Sequence, residues 1–251
     1  MIPYLYNAAE CWVELPKEAL ATLNSLQELF MRSMLATPRT CPIVAMYWSL
    51  AAPLAENRII EYKLRFFHHL VHLNHDSIAY RIYLKQRNMK VPSLVRECLE
   101  FLAILNIKES EVISSSKFQW AKLLSLKVKE KNRGDILEKM KTYKKFDYFQ
   151  RKDEVFEMKE YFKVMKLEDS RIKFSLESKM TRTVRTHFFG DKNYAEKLWV
   201  CQNCEKATDS ISHLKVCPSF AHLRENRDFN CDLQLTDYFK EIVKQRMDED
   251  E

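Results

Sequence analysis

The sequence predicts a mostly α-helical protein, and three observations carry that expectation. Two glycines and seven prolines in 251 residues are too little turn chemistry for the short connections of an all-β fold. Apolar residues recur in run after run at three- and four-residue intervals, the period of a helix with one buried face. Hydrophobic residues make up 46% of the chain, enough to bury a core in one domain or two.

The elements follow in order. Pro16 suits a first helical position, and Leu20, Leu23, Leu26, Leu29, Phe30 and Met34 then form an apolar stripe that stops before Pro38. From about Glu56 to Leu73 a second helix carries Ile59, Ile60, Leu64, Phe67, Leu70 and Val71 on one side, with Arg58, Lys63 and Arg65 interleaved. It ends in His68, His69, His72 and His75. His68 and His72 are i and i+4, but no glutamate stands where a zinc hydrolase places its base. The expectation is therefore surface histidines near a helix C-terminus, interacting with the dipole or with nucleic acid. Asp76 and Ser77 are cap types for a helix carrying Ile78, Ile82, Tyr83 and Leu84. From Pro92 the run Leu94, Val95, Cys98, Phe101, Leu102 and Leu105 is again helical, and Ser114–Ser116 mark a break. A soft domain boundary is placed there, which divides the chain into 1–115, 116–197 and 198–251.

Charge is distributed unevenly. The net charge is +6, yet residues 117–197 hold 22 basic against 13 acidic side chains, while 198–251 hold 7 against 11. The middle region is thus the candidate phosphate-facing surface, the alternative being a solvated face that keeps the protein soluble. Within it, Lys117–Lys131 keeps an apolar side in Phe118, Trp120, Leu123, Leu124 and Val128, and offers Lys122, Lys127, Lys129 and Lys131. Further on, Lys179, Arg182 and Arg185 recur every third residue, followed by His187, Phe188 and Phe189. Basic side chains beside aromatics suit phosphates and bases, although the same pattern describes a helix with core phenylalanines and solvated charges.

The most specific motif is Cys201, Cys204, His213 and Cys217 in the spacing C-x2-C-x8-H-x3-C. A C-x2-C pair presents two thiolates from one tight turn, and H-x3-C on a helix puts imidazole and thiolate on one face. Four ligands close a tetrahedral site with no position left for water, so one structural Zn2+ is expected. Asp209 and Ser210 are N-cap types before Ile211, and Pro218 follows Cys217 where a short helix should stop. A redox pair of Cys201 and Cys204 is the competing reading, and His222 or Cys231 could replace a ligand. A final amphipathic helix over Cys231–Met247 carries Leu233, Leu235, Tyr238, Phe239, Ile242 and Val243 before an acidic tail.

Seven scattered cysteines argue against a secreted disulfide framework and for a reducing cytosol or nucleus. The longest uncharged stretch, Thr40–Ala55, is 16 residues with two prolines, too short and broken to cross a bilayer. No membrane partner is expected.

These segments resemble a known family, the region that follows the polymerase domain in LINE-type (non-LTR) retrotransposon reverse transcriptases. Tyr4–Leu15, Leu23–Leu50 and Glu56–Tyr83 are similar to its thumb-like helical region; Phe118–Tyr148 and Ser178–Cys204 resemble the linker into its terminal CCHC zinc knuckle. Cys201, Cys204, His213 and Cys217 match the knuckle one by one, and Cys217–Asn230 extends the likeness, which covers nearly the whole chain. The resemblance implies a thumb-like bundle, a basic helical linker and a zinc knuckle, gripping RNA or an RNA–DNA duplex with weak sequence selectivity. It also implies a polymerase domain as a partner. The palm's pair of adjacent aspartates is missing, since no Asp-Asp dipeptide occurs, so no enzyme is expected of this segment alone. Some relatives continue into a nuclease, but Asp228, Asp232, Asp237, Glu241 and Lys244 follow a helical pattern rather than strands. The alternative function is a zinc-stapled helical protein-interaction module, or a remnant without function.

Overall fold

The computed structural model describes residues 6–37, 41–89, 91–141, 156–177, 201, 203–204, 211–225, 227–229 and 231–248. Among these the fold is helical, with no strand. The α-helices are α1 (Lys17–Leu35), α2 (Ile43–Leu50), α3 (Ala55–Val71), α4 (Ile78–Asn88), α5 (Leu94–Ile104), α6 (Glu109–Ser114), α7 (Lys117–Lys141), α8 (Tyr161–Val164), α9 (Leu167–Glu177), α10 (Ile211–Leu214) and α11 (Asp232–Asp248). The chain divides into two compact units, one of residues 1–30 with 51–156, the other of 31–50 with 157–251. The region 116–197 is therefore shared: α7 belongs with the residues before it, and α8 and α9 with the second unit.

In the first unit α3 is central. Ile60, Leu64, Phe67 and Leu70 pack with Tyr83 of α4, with Val95, Cys98 and Leu102 of α5, and with Trp120, Leu124 and Val128 of α7. Helix starts are set by local side chains, since Ser77 accepts from Tyr80 N–H at 3.2 Å and Ser93 from Arg96 N–H at 3.3 Å. Helix α5 ends on Asn106 at φ 53°, with Ile107 N–H on Leu102 O and Asn106 N–H on Ala103 O. Asparagine takes the left-handed position that glycine usually fills.

Several expectations change on contact with this core. On α1 the buried positions are Gln27, Met31 and Leu35, while Leu26 and Leu29 point outward. Gln27 is buried because it is satisfied, donating to Pro53 O at 2.6 Å and accepting from Tyr6 Oη at 2.7 Å. Lys63 is not an interleaved surface charge. It is fully buried, its Nζ lies 2.6 Å from Glu97 Oε2, and it sits 5.7 Å from the Phe101 ring centroid. Helix α2 had no periodic signal because it is apolar all round, and Val44 to Leu50 are all buried.

Of the histidines at the end of α3, His69, His72 and His75 are exposed as expected, whereas His68 is not a surface group. His68 is buried, stacked 5.7 Å from Trp120 and 4.2 Å from His72, with Nε2 3.1 Å from Ser115 O. His72 reaches Ile113 O at 3.1 Å. Burial pushes the His68 imidazole below its ordinary value; His72, His69 and Lys117 push the same way, against the Ser115 carbonyl. The unfolded chain then takes up this proton first as pH falls below about 6.5, so the contribution is intact above that value and lost toward the folded-state value. Denaturant midpoints measured between pH 7 and pH 5 should fall for the wild type, and less steeply for His68→Phe. Equal slopes would refute the assignment.

Helix α7 buries Trp120, Leu124, Val128, Asn132, Ile136 and Met140. A row spaced by four advances about 40° per step, so the buried line winds around the helix. Asn132 lies on it because both ends of its amide are partnered: Oδ1 accepts from Leu54 N–H at 2.9 Å and Asn57 Nδ2 at 3.0 Å, and Nδ2 donates to Ala52 O at 3.1 Å.

In the second unit Arg171 of α9 donates to Met34 O at 2.7 Å, and Lys159 N–H to Ser49 O at 3.0 Å. Lys240 of α11 pairs with Asp169 of α9. No helix among the described residues is long and apolar enough to cross a membrane.

Candidate metal centre

Cys201 stands at the start of the described part of this region, and Cys204 follows three residues on. Helix α10 supplies His213. It ends at Leu214, with Val216 N–H closing on His213 O at 2.9 Å. Cys217 therefore lies past the helix rather than on its face, in a non-helical conformation that caps a 3-10 segment, Pro218–Arg224. The expected shared helical turn does not form, because Pro218 at the first position of that next segment restricts the residue before it. Asp209 and Ser210 lie outside the described residues.

The four side chains nevertheless converge. One ligand atom from each of Cys201, Cys204, His213 and Cys217 lies within 4.8 Å of all the others. Cys201 Sγ and Cys217 Sγ are 3.7 Å apart, and Cys204 Sγ is 3.2 Å from His213 Nε2. Tetrahedral ligands at zinc distances of about 2.3 Å for sulfur and 2.0 Å for nitrogen stand roughly 3.5–3.8 Å from one another. The Cys201–Cys217 separation fits and that of Cys204 and His213 is about 0.3 Å shorter than the range, and three sulfurs with one imidazole are a soft donor set. These four residues could hold a metal ion, whereas His222 and Cys231 are not among them.

What holds the ligands is an apolar floor. Cys201 and Cys217 are fully buried, packed with Ile172, Leu214, Phe220, Leu235, Tyr238, Phe239 and Ile242. The expected C-terminal helix supplies four of these, Leu235, Tyr238, Phe239 and Ile242. Two supports were not foreseen from sequence. Tyr238 Oη donates to Leu214 O at 2.6 Å, tying α11 to the end of α10, and Arg224 donates to Cys217 O. Burial raises the Tyr238 phenol, so it stays protonated and able to donate. Their only sequence signal is the apolar period that put Tyr238 inward.

The expected phosphate ligands separate into groups. Lys122 and Lys129 are exposed on α7. Lys127 is paired with Glu130 at 3.4 Å. Lys131 is turned inward, 2.7 Å from Asp135, which also accepts from buried Asn57 at 2.8 Å. Lys179, Arg182, Arg185 and His187 lie outside the described residues.

No protein family, no curated protein and no solved structure matches the chain.

Proposed function

We propose that the chain is a nucleic-acid-binding module, helical throughout its described residues and stapled by one structural zinc ion. The observation that carries the zinc reading is the closed Cys201, Cys204, His213 and Cys217 set, two of whose thiols are fully buried. A closed, buried set suits a staple, while a catalytic ion needs an open position. Zinc, when bound, would cross-link the C-x2-C turn to α10 and the 3-10 segment; the surrounding side chains exclude water from two of the sulfurs. Binding of nucleic acid is supported by the net +9 of residues 117–197, by exposed Lys122 and Lys129, and by the sequence resemblance to the post-polymerase region of LINE-type reverse transcriptases. RNA or an RNA–DNA duplex is the proposed partner, gripped by its phosphates with weak selectivity.

The test is fluorescence anisotropy of the full, zinc-loaded chain with structured RNA, RNA–DNA duplex and single strands at two salt concentrations. Affinity should fall steeply with salt, by roughly tenfold or more for a threefold increase if several phosphates are contacted. Neutralising Lys179, Arg182 and Arg185 together should weaken it further. Absence of binding at low salt, from a folded and metal-loaded protein, would overturn the proposal.

A second reading, a protein-interaction module, is favoured by one observation. Helix α4 buries only Tyr83 and leaves Ile78 76%, Ile82 51% and Leu84 41% exposed. The net −4 of residues 198–251 points the same way.

A further inference from the structure

Helix α4 has an inner and an outer face that differ in kind. Tyr80, Tyr83 and Arg87, at i, i+3 and i+7, hold it to the first unit: Tyr83 meets Phe67 edge-on at 6.0 Å, Tyr80 stacks on His75 at 4.4 Å, and Arg87 pairs with Glu109 at 2.7 Å. On the opposite side Ile78, Arg81, Ile82 and Lys85 are all exposed and fall within an arc of about 100° around the axis. The isoleucines take one edge of that arc and the cations the other, along about 10 Å of helix. Met89 at the C-cap, seven residues after Ile82, is exposed too. Phe118 of α7 is also exposed, since the buried row of that helix begins at Trp120, but a single ring carries no such pattern.

The cations of this outer face have no counter-charge at hand. Residues 77–96 hold five basic side chains and no acidic one. The carboxylates nearest in sequence are already engaged, Glu109 with Arg87, Glu100 with Arg96 and Glu97 with Lys63. Among the described residues neither Arg81 nor Lys85 pairs with a carboxylate. Two isoleucines beside two unopposed cations complement a helix that sets apolar side chains at i and i+4 beside aspartates or glutamates. Other occupants fit worse. A second copy docking α4 on α4 would set cations against cations, with no carboxylate on either helix. An anionic bilayer would be held by two charges and two isoleucines alone, because residues 1–116 carry 12 basic against 11 acidic side chains and make no wider positive field. A nucleic acid would find partners for its phosphates, but no ring on this face for its bases and nothing to match the isoleucines.

We infer that the outer face of α4 docks an acidic amphipathic helix of another protein, with Ile78 and Ile82 packed on its apolar row and Arg81 and Lys85 paired with its carboxylates. The inference rests on the second reading above, the protein-interaction module, and names the chemistry of its partner. It does not depend on nucleic-acid binding.

The experiment presents a phage-displayed library of amphipathic helical peptides, a fixed leucine row flanked by positions randomised among acidic, basic and neutral residues, to the full, zinc-loaded chain. Enriched peptides should carry two or more carboxylates beside the leucines, and fluorescein-labelled synthetic copies should bind in anisotropy with an affinity that falls with salt. Ile82→Ala should weaken that binding roughly tenfold, and Arg81→Glu with Lys85→Glu by roughly tenfold or more. Peptides whose carboxylates are changed to lysine should bind this reversed variant and not the wild type, which separates direct pairing from a general change of surface charge. All the substituted positions are exposed, so the variants should keep the wild-type circular dichroism, and their binding to RNA should stay within twofold of the wild type. No enriched peptide, enrichment of neutral or basic ones, or binding indifferent to the substitutions overturns the inference and leaves the nucleic-acid proposal as it was. RNA binding lost in the reversed variant, or, in the absence of acidic-peptide binding, anionic vesicles or self-association lost in Ile82→Ala, assigns the face to another occupant and overturns it as well. A wild type that binds the acidic peptides through this face but binds no RNA upholds the inference while the nucleic-acid proposal falls.

Discussion

Stripping the metal with a strong chelator should melt the packing around Cys201, Cys204, His213 and Cys217, and Cys217→Ser should do so without a chelator. The ligands are two short segments and a four-residue helix, α10, that no isolated peptide would hold, since a helix of that length is far below the size that is stable in water. Without an ion, three thiols and an imidazole would be gathered in a small volume against an apolar floor, with two sulfurs fully buried. Ion binding and folding are then one equilibrium, and structural zinc in small fingers contributes on the order of 10–16 kcal/mol at neutral pH. Hydrogen exchange at the amides of residues 211–217 is the readout: protection should vanish on chelation and return on adding Zn2+. Cys231→Ser, outside the set, should change nothing. Protection that survives chelation would show that the apolar floor alone carries this region.

The second large effect concerns Lys63. Its ammonium has no exposed surface and lies 2.6 Å from Glu97 Oε2. Glu97→Leu would leave a buried cation unpaired, at a cost of about 3 kcal/mol, the lower end for a broken buried pair because the Glu97 side chain keeps 18% of its exposure. Lys63→Met combined with Glu97→Leu should recover most of that loss, since two apolar groups need no partner. Urea denaturation of the three proteins measures both values. A single-variant cost under about 1 kcal/mol would mean that Lys63 finds water, and the burial would be wrong.

The convergence of the four candidate ligands was legible because its information is local. Cys201 and Cys204 are three residues apart, and His213 and Cys217 four, so each pair is close in space whatever the local conformation; the helix end at Leu214, before Cys217, still leaves the four ligands converging. Helices α3, α5 and α11 were legible for a similar reason, each having an apolar period and α5 also a Ser93 cap. What the sequence hid is relational. Lys63 reads as a surface charge until Glu97, 34 residues away, is opposite it. His68 reads as a solvated helix end until Trp120 lies flat against it. Nothing local marks Asn132 as buried, because its three partners lie more than 70 residues upstream. Phe118 reads as core because a period counts apolar residues without saying where the buried line begins.

The division of the chain also has a consequence in time. Residues 31–50, including the wholly uncharged α2 with Tyr47 and Trp48, belong to the unit completed by residues 157–251, and 106 residues, 51–156, intervene. At a synthesis rate of roughly 5–20 residues per second, this segment leaves the ribosome about 5–20 s before its partners exist. The first unit can close around a greasy loop that has nowhere to dock. During translation that loop is the natural handle for a chaperone, and any slowing of the ribosome between codons 51 and 156 lengthens the interval in which it can aggregate.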